Sequence, residues 1–219
     1  MISLRQTLRD TPAVTGTAPA FDPDAAPADP TGLLLDWLLD AIRTEVPEPH
    51  AVTLSTVDAD GAPDARVLIL KDVNGVTGEL EVASTEEAQK SRQLSADPRC
   101  AISVYWPARA RAIRVRGIAH RAPAEAAAAD LLARGLHSRA LVLVGRQGAP
   151  LDDIDEHDRL VADAITRLEA EPGLVSPSWT LWRIAPESYE FWQGDLGRDH
   201  LRVRYEKGAD GWSHRRLWA

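Results

Sequence analysis

Apolar positions follow two different periods along this chain, and the switch between them marks its organisation. Leu33, Leu34, Trp37, Leu38 and Ile42 recur at helical spacing, in a helix opened by Asp29-Pro30-Thr31 and closed by Pro47 and Pro49. Beyond residue 50 the period falls to two. Ala51 to Val57 is a short β-rich run, and Asp58-Ala59-Asp60-Gly61 is a hairpin-type turn. Arg66-Val67-Leu68-Ile69-Leu70-Lys71 is apolar between two cations, as in a central strand with functional ends. Asn74-Gly75 turns the chain toward a strand near Glu79 to Ala83. Ser84 and Glu87 are spaced as a capping box for a helix from Glu86 to Ala96, which Asp97-Pro98 stops.

Two more strands are predicted, Cys100 to Trp106 and Ala112 to Arg121; in the second, Ile113, Val115 and Gly117 alternate with Arg114, Arg116 and Ile118. Helices over 123–134 and 153–170 flank a stretch with no clear period. Strands return near 179–185, 187–193, 200–206 and 211–217. Many short strands with interspersed helices predict an α+β, mainly β fold: an antiparallel barrel with helices on its outside.

Residues 10–31 are rich in Pro, Ala and Asp and carry neither period, so 1–31 is read as an extended arm and 32–219 as one domain. A length of 219 residues and a hydrophobic fraction of 44% suit that division. No apolar run approaches the ~20 residues of a membrane span, and Met1 to Arg5 begin no secretory signal. The single cysteine, Cys100, lies in an apolar run and reads as a buried, inert thiol, which points to the cytoplasm. A net charge of −8 argues against a nucleic-acid binder. Local basic clusters at Arg109–Arg121 and Arg198–Arg204 suit a small anionic ligand instead.

Neither Gly-rich nucleotide fingerprint is present, no Cys/His cluster has metal-site spacing, and no nucleophile–base set is readable. His50, His120, His137, His157 and His214 are scattered, and each is read as a surface or core histidine. Any chemistry must then come from a cofactor. Arg66 and Lys71 suit a phosphate grip, or are strand-end charges in water. Ser84, Thr85 and Lys90 suit a phosphate at a helix N-terminus, although Glu86 and Glu87 would repel it; an ordinary capped helix is the plainer reading. Arg198 and His200, one residue apart, would share a strand face and combine anion orientation with proton handling, or lie solvated on an edge. Trp192 beside Gly194 suits ring stacking or plain core.

Three segments together resemble the pyridoxamine 5′-phosphate oxidase family. They are Arg66 to Lys71, Asp97 to Pro107, and the ending Glu190-Phe191-Trp192-Gln193-Gly194 with Arg198-x-His200-x-Arg202-x-Arg204-Tyr205. The resemblance runs from about Pro30 to the C-terminus. It implies an FMN-binding split β-barrel that forms a homodimer with FMN at the interface. It further implies hydride transfer from a phosphorylated substrate to flavin N5, reoxidation by O2, and release of pyridoxal 5′-phosphate and peroxide.

By that resemblance Arg66, Val67, Leu68, Ile69, Leu70, Lys71, Ser84, Gln89, Lys90, Gln147, Trp192 and Arg202 contact FMN. Lys71, Arg134, Ser138, Arg198 and His200 hold substrate, with Arg198 and His200 catalytic. Five departures stand out: Ala112 for a Gln, Gly148 for a Ser, Asp130 for a substrate-phosphate Tyr, and Glu86 and Glu87 beside the flavin-phosphate helix. The arm also lacks the basic-aromatic stretch of vitamin B6 oxidases. A flavoenzyme acting on another substrate, such as a phenazine-type metabolite, is the second expectation. A flavin-binding barrel without catalysis is the third.

Overall fold

A computed structural model describes residues 2–219. A short helix α1 (Leu4–Asp10) starts the chain, and an extended stretch leads to α2 (Pro30–Arg43). Then come β1 (Ala51–Val57), β2 (Pro63–Val73), β3 (Leu80–Thr85), α3 (Gln89–Ala96), β4 (Arg99–Trp106) and β5 (Arg111–Arg121). Helices α4 (Ala124–Leu132), α5 (Leu136–Val144) and α6 (Ile154–Ala170) follow, and β6 (Trp179–Gln193), β7 (Leu201–Gly208) and β8 (Gly211–Arg216) close the chain.

All strand pairings are antiparallel, in the order β3-β2-β1-β4-β5-β6-β7-β8. A further β3–β6 pairing closes six of these strands into a barrel. The fold is therefore the expected antiparallel split barrel with peripheral helices. Its split lies in β6. Residues Trp179 to Ile184 pair with β3 on one edge, whereas Ser188 to Gln193 pair there with β7. Pro186, which has no N–H to donate, stands at the change of partner. The two strands read from the sequence on either side of it are one continuous strand.

Opposite Pro186 the β5 register shifts between Arg116 and Gly117. A Cβ on Gly117 would lie 2.2 Å from the Ala185 carbonyl oxygen, so only glycine lets the strands approach here. The inward faces of the barrel strands and α2 form the main core. Trp37 meets Phe21 edge-on at 5.2 Å and Phe191 at 5.3 Å, and Phe191 meets the fully buried Tyr205 at 5.8 Å. Each such contact adds about 0.5–1.5 kcal/mol beyond area burial.

The arm is not uniformly extended. Its first residues form α1, and Pro23–Ala25 make a 3₁₀ turn. Side-chain bonds to its backbone strap it down: Gln193 Nε2 donates to the Pro19 carbonyl at 2.8 Å, and the Tyr205 hydroxyl to the Pro27 carbonyl at 2.7 Å.

Two local expectations fail. Ser84 caps no helix: β3 runs on to Thr85, where β6 supplies backbone partners, and α3 begins at Gln89 after an Ala88 cap without a side-chain bond. Arg198 and His200 do not share a strand face. Arg198 (φ 69°) sits in the turn before β7, where its N–H bonds the Asp195 carbonyl and the Asp195 N–H bonds His200 Nδ1. Cys100 is buried as expected, and burial pushes its thiol up to about 12. Among the described residues no helix is long and apolar enough to cross a membrane.

Candidate active site

Helices α4, α5 and α6 lean against the outside of the barrel and leave a cleft of about 520 Å³ between them, β2 and β3. β2 contributes Val67, Leu68, Ile69 and Lys71, and β3 contributes Ser84 and Thr85. Arg134, Ser138 and Gln147 enter from the α4–α5 side. Nine residues selected from the sequence thus share one hollow. Thr85 anchors the loop after α5 by donating to Gln147 Oε1 at 3.2 Å. The wall is Trp179, whose ring Arg134 covers at 4.7 Å; the Arg134 Nε is buried without a partner.

Arg66 and Lys90 form a cationic cluster on the other side of β2. Arg66 donates to Thr56 at 2.6 Å, to Gln93 at 2.9 Å and to Asp64 at 2.5 Å. It is therefore no strand-end charge in water but a clamp between β2 and α3. Lys90 is only 9% exposed and has no acidic partner among the described residues. Burial, and then the charge of Arg66, holds its ammonium below the usual lysine range. An unpaired buried cation under an uncapped helix start suits a phosphate. Gln89 is exposed on the first turn of α3.

Glu86 does not oppose that seat. Arg121, lying 5.0 Å over the Trp182 ring, pairs with the Glu86 carboxylate, and Thr180 donates to it at 2.5 Å. Glu87 is exposed. Asp130 is likewise engaged: one oxygen accepts from Trp179 Nε1 at 2.9 Å, and the other lies 3.6 Å from Lys71 Nζ.

The C-terminal candidates lie apart from this cleft in the single chain. Trp192 lies on the outer sheet face beside Tyr105 (6.3 Å) and His200 (5.0 Å), next in register to Ala112 and Arg202. Arg198 is exposed. Arg202 pairs with Glu190 at 2.5 Å, and Arg114 reaches the same carboxylate at 2.6 Å. Burial raises the Glu190 pKa, but its Arg202 and Arg114 partners outweigh that and hold it below the usual range. Arg109 and Arg111 bind Asp40. Much of the basic clustering noticed in the sequence is thus spent on internal pairs. Trp192 lines a second hollow of about 640 Å³ on the sheet face, and Val67 is the residue common to both hollows.

The sequence reading missed Trp179, Arg146 and His157 on the cleft wall, and Gln93 behind Arg66. His157 had a usable signal, since it precedes the buried Val161 by one helical turn on α6. Gln93 had none, because its partners lie 27 and 37 residues away.

Residues 38–193 match the family profile described as pyridoxamine 5′-phosphate oxidase, and 179–219 match its pyridoxine 5′-phosphate oxidase C-terminal dimerisation region. The chain belongs to the pyridoxamine 5′-phosphate oxidase family. It is 37% identical over 196 residues to the pyridoxine/pyridoxamine 5′-phosphate oxidase of Pseudomonas paraeruginosa, covering 88% of this chain and 89% of that one. The Caulobacter vibrioides oxidase is 33% identical over 190 residues, covering 87% and 85%. Among solved structures, PhzG of Burkholderia lata, in complex with tetrahydrophenazine-1-carboxylic acid, superposes with a TM-score of 0.85 at 23% identity, covering 93% of this chain and 100% of that one. A pyridoxamine 5′-phosphate oxidase-related, FMN-binding protein of Nostoc punctiforme gives 0.71 at 18% identity, covering 87% and 98%. Membership in this oxidase family makes the chain an enzyme.

Proposed function

We propose that the chain is a cytoplasmic FMN-dependent oxidase that converts pyridoxine or pyridoxamine 5′-phosphate to pyridoxal 5′-phosphate. The observation that carries this reading is the buried, unpaired Lys90 beside Arg66, one strand away from a cleft holding Lys71, Arg134 and Ser138. The first pair suits the flavin phosphate. The second group suits an anionic substrate tail.

When bound, FMN supplies the hydride acceptor at N5 and passes the electrons to O2, giving hydrogen peroxide. The chain's own residues bind, orient and exclude water. Val67, Leu68 and Ile69 offer an apolar floor for a flat ring, and Gln147, tied to Thr85, sits at its edge. We assign orientation of the substrate to Arg198 and proton handling to His200. His200 stands 5.0 Å from Trp192, Arg198 lies in the turn just before it, and neither lines its own chain's cleft, so the reading includes a homodimer in which one copy's C-terminal set completes the other's site. The outward Val67 (66% exposed), Ile69 (40%) and Tyr105 (49%) support it, being apolar side chains on a sheet face with nothing over them.

A visible spectrum of the purified protein, mass identification of the ligand released on denaturation, and peroxide formation with pyridoxine 5′-phosphate test this reading. A fully flavinated protein that turns over neither vitamin B6 phosphate would reject it. A related flavoenzyme with another substrate is the second reading, favoured by the pairing of the cleft residue Lys71 with Asp130.

A further inference from the structure

The cleft's cations are fewer than they look. Lys71 and Arg134 both face it, and two full positive charges would match a dianionic phosphate. Asp130 changes that sum. Its side chain is 18% exposed, its Oδ1 is 3.6 Å from Lys71 Nζ, and its Oδ2 accepts from the indole of Trp179, a wall residue. The remaining charged groups do not restore the balance: Arg146 is paired with Glu156 at 3.2 Å, and His157 hydrogen-bonds Asp158 at 2.9 Å. Among the residues this chain itself places on the wall, Arg134 is left as the one cation without an acid and Ser138 as a neutral donor near it; Arg198 and His200 of a second copy are assigned to the reacting end of the substrate, not to its anionic tail.

We propose that Asp130 sets this cleft to hold a ligand group bearing a single negative charge. Two chemistries meet that description: a carboxylate, and a phosphate monoester that keeps one proton. The inference rests on the cleft being the substrate site of the proposed oxidase and deepens that reading. A phosphate monoester loses its second proton near pH 6. Binding it at higher pH beside Asp130 then takes up one proton from solvent, and affinity falls about tenfold for each pH unit above that point. A carboxylate carries no such penalty.

The test is calorimetric titration of the purified protein with pyridoxine 5′-phosphate and with 4-pyridoxate between pH 6 and 8.5, in buffers of different ionisation enthalpy. Asp130→Asn is compared at each pH; its amide oxygen still accepts from Trp179. We expect the wild type to take up about one proton per phosphate ester bound above pH 7, with the stated slope. Asp130→Asn loses that uptake and gains about tenfold or more at pH 8. Tight, pH-independent binding of 4-pyridoxate with no measurable binding of the phosphate ester also supports the inference, while rejecting the vitamin B6 phosphate as substrate. Binding of the ester without proton uptake, or of neither probe, overturns it, and the wild-type slope alone decides the matter if the variant misfolds. Turnover is read separately, so a protein that binds with proton uptake yet oxidises nothing defeats the oxidase reading alone.

Discussion

Arg121 holds Glu86 to the barrel wall, with Thr180 as the carboxylate's second partner, three residues ahead of the start of α3. A free carboxylate there would face the anion seat around Lys90. On the proposed reading Arg121 thus guards the flavin-phosphate seat without touching it. Replacing it by alanine releases a negative charge toward the seat and removes the cation over Trp182. We predict that Arg121→Ala weakens FMN binding about tenfold, roughly 1.4 kcal/mol. Adding Glu86→Gln to that variant should recover most of the loss. Flavin titration by fluorescence quenching measures both, and a double variant as weak as the single one would refute the guarding role.

The barrel was legible because its strands alternate on one face: Ile113, Val115 and Gly117 point inward as their spacing implies. What failed depended on partners far along the chain. Ser84 has capping spacing, but its backbone pairs with Thr180, so the strand outlasts the local helix signal. Helix α5 showed no period because it packs two ways, Val142 toward Trp179 and Ala140 toward Val161 and Leu168. Arg198 and His200 alternate in sequence, yet the Asp195–Arg198 turn takes them out of the strand. In the site, the cation positions were readable from motif spacing. The acids Glu86 and Asp130 were readable too, but their partners were not, since Arg121, Lys71 and Trp179 reach them only in the fold.

Gly117 is a structural test of the split in β6. A methyl group there would meet the Ala185 carbonyl and Ile184 Cγ2, at 2.2 and 3.0 Å. Strand backbone yields little, so β5 and β6 would have to part at the register shift. Gly117→Ala should cost about 1–3 kcal/mol, lowering Tm by several degrees without altering the residues of the cleft. Thermal unfolding checks this; an unchanged Tm would mean the strands sit farther apart.

A shared site makes a sharper prediction than self-association alone. Lys90→Met disables the flavin side of a site, and His200→Ala disables the C-terminal side. If one chain supplies each side, both variants are inactive alone. Mixed one to one and allowed to exchange, half the dimers are mixed, and each has one intact site of two. About a quarter of wild-type activity should return. No recovery after verified exchange would place all the groups within one chain. Val67→Glu, which puts a charge on the exposed apolar face, should yield a monomer by sedimentation and lose bound flavin.

Lys90 gives the flavin-free protein an unusual dependence on pH. Its folded pKa lies below the ordinary 10.5, from burial first and from Arg66 second. Between the two values the unfolded chain binds more protons than the folded one. Stability therefore rises with pH across that window and levels off once the unfolded lysine has also lost its proton. Below the window the charged ammonium is a cost that folding bears in full. A bound phosphate reverses the preference, because the charged form then gains a partner. Melting curves of the flavin-free protein from pH 8 to 10.5 should climb more steeply than those of Lys90→Met, which lacks the group. Saturating FMN should flatten or invert the wild-type slope. Identical slopes for wild type and Lys90→Met without flavin would show that the ammonium is solvated after all, and would remove the physical reason for an anion at that place.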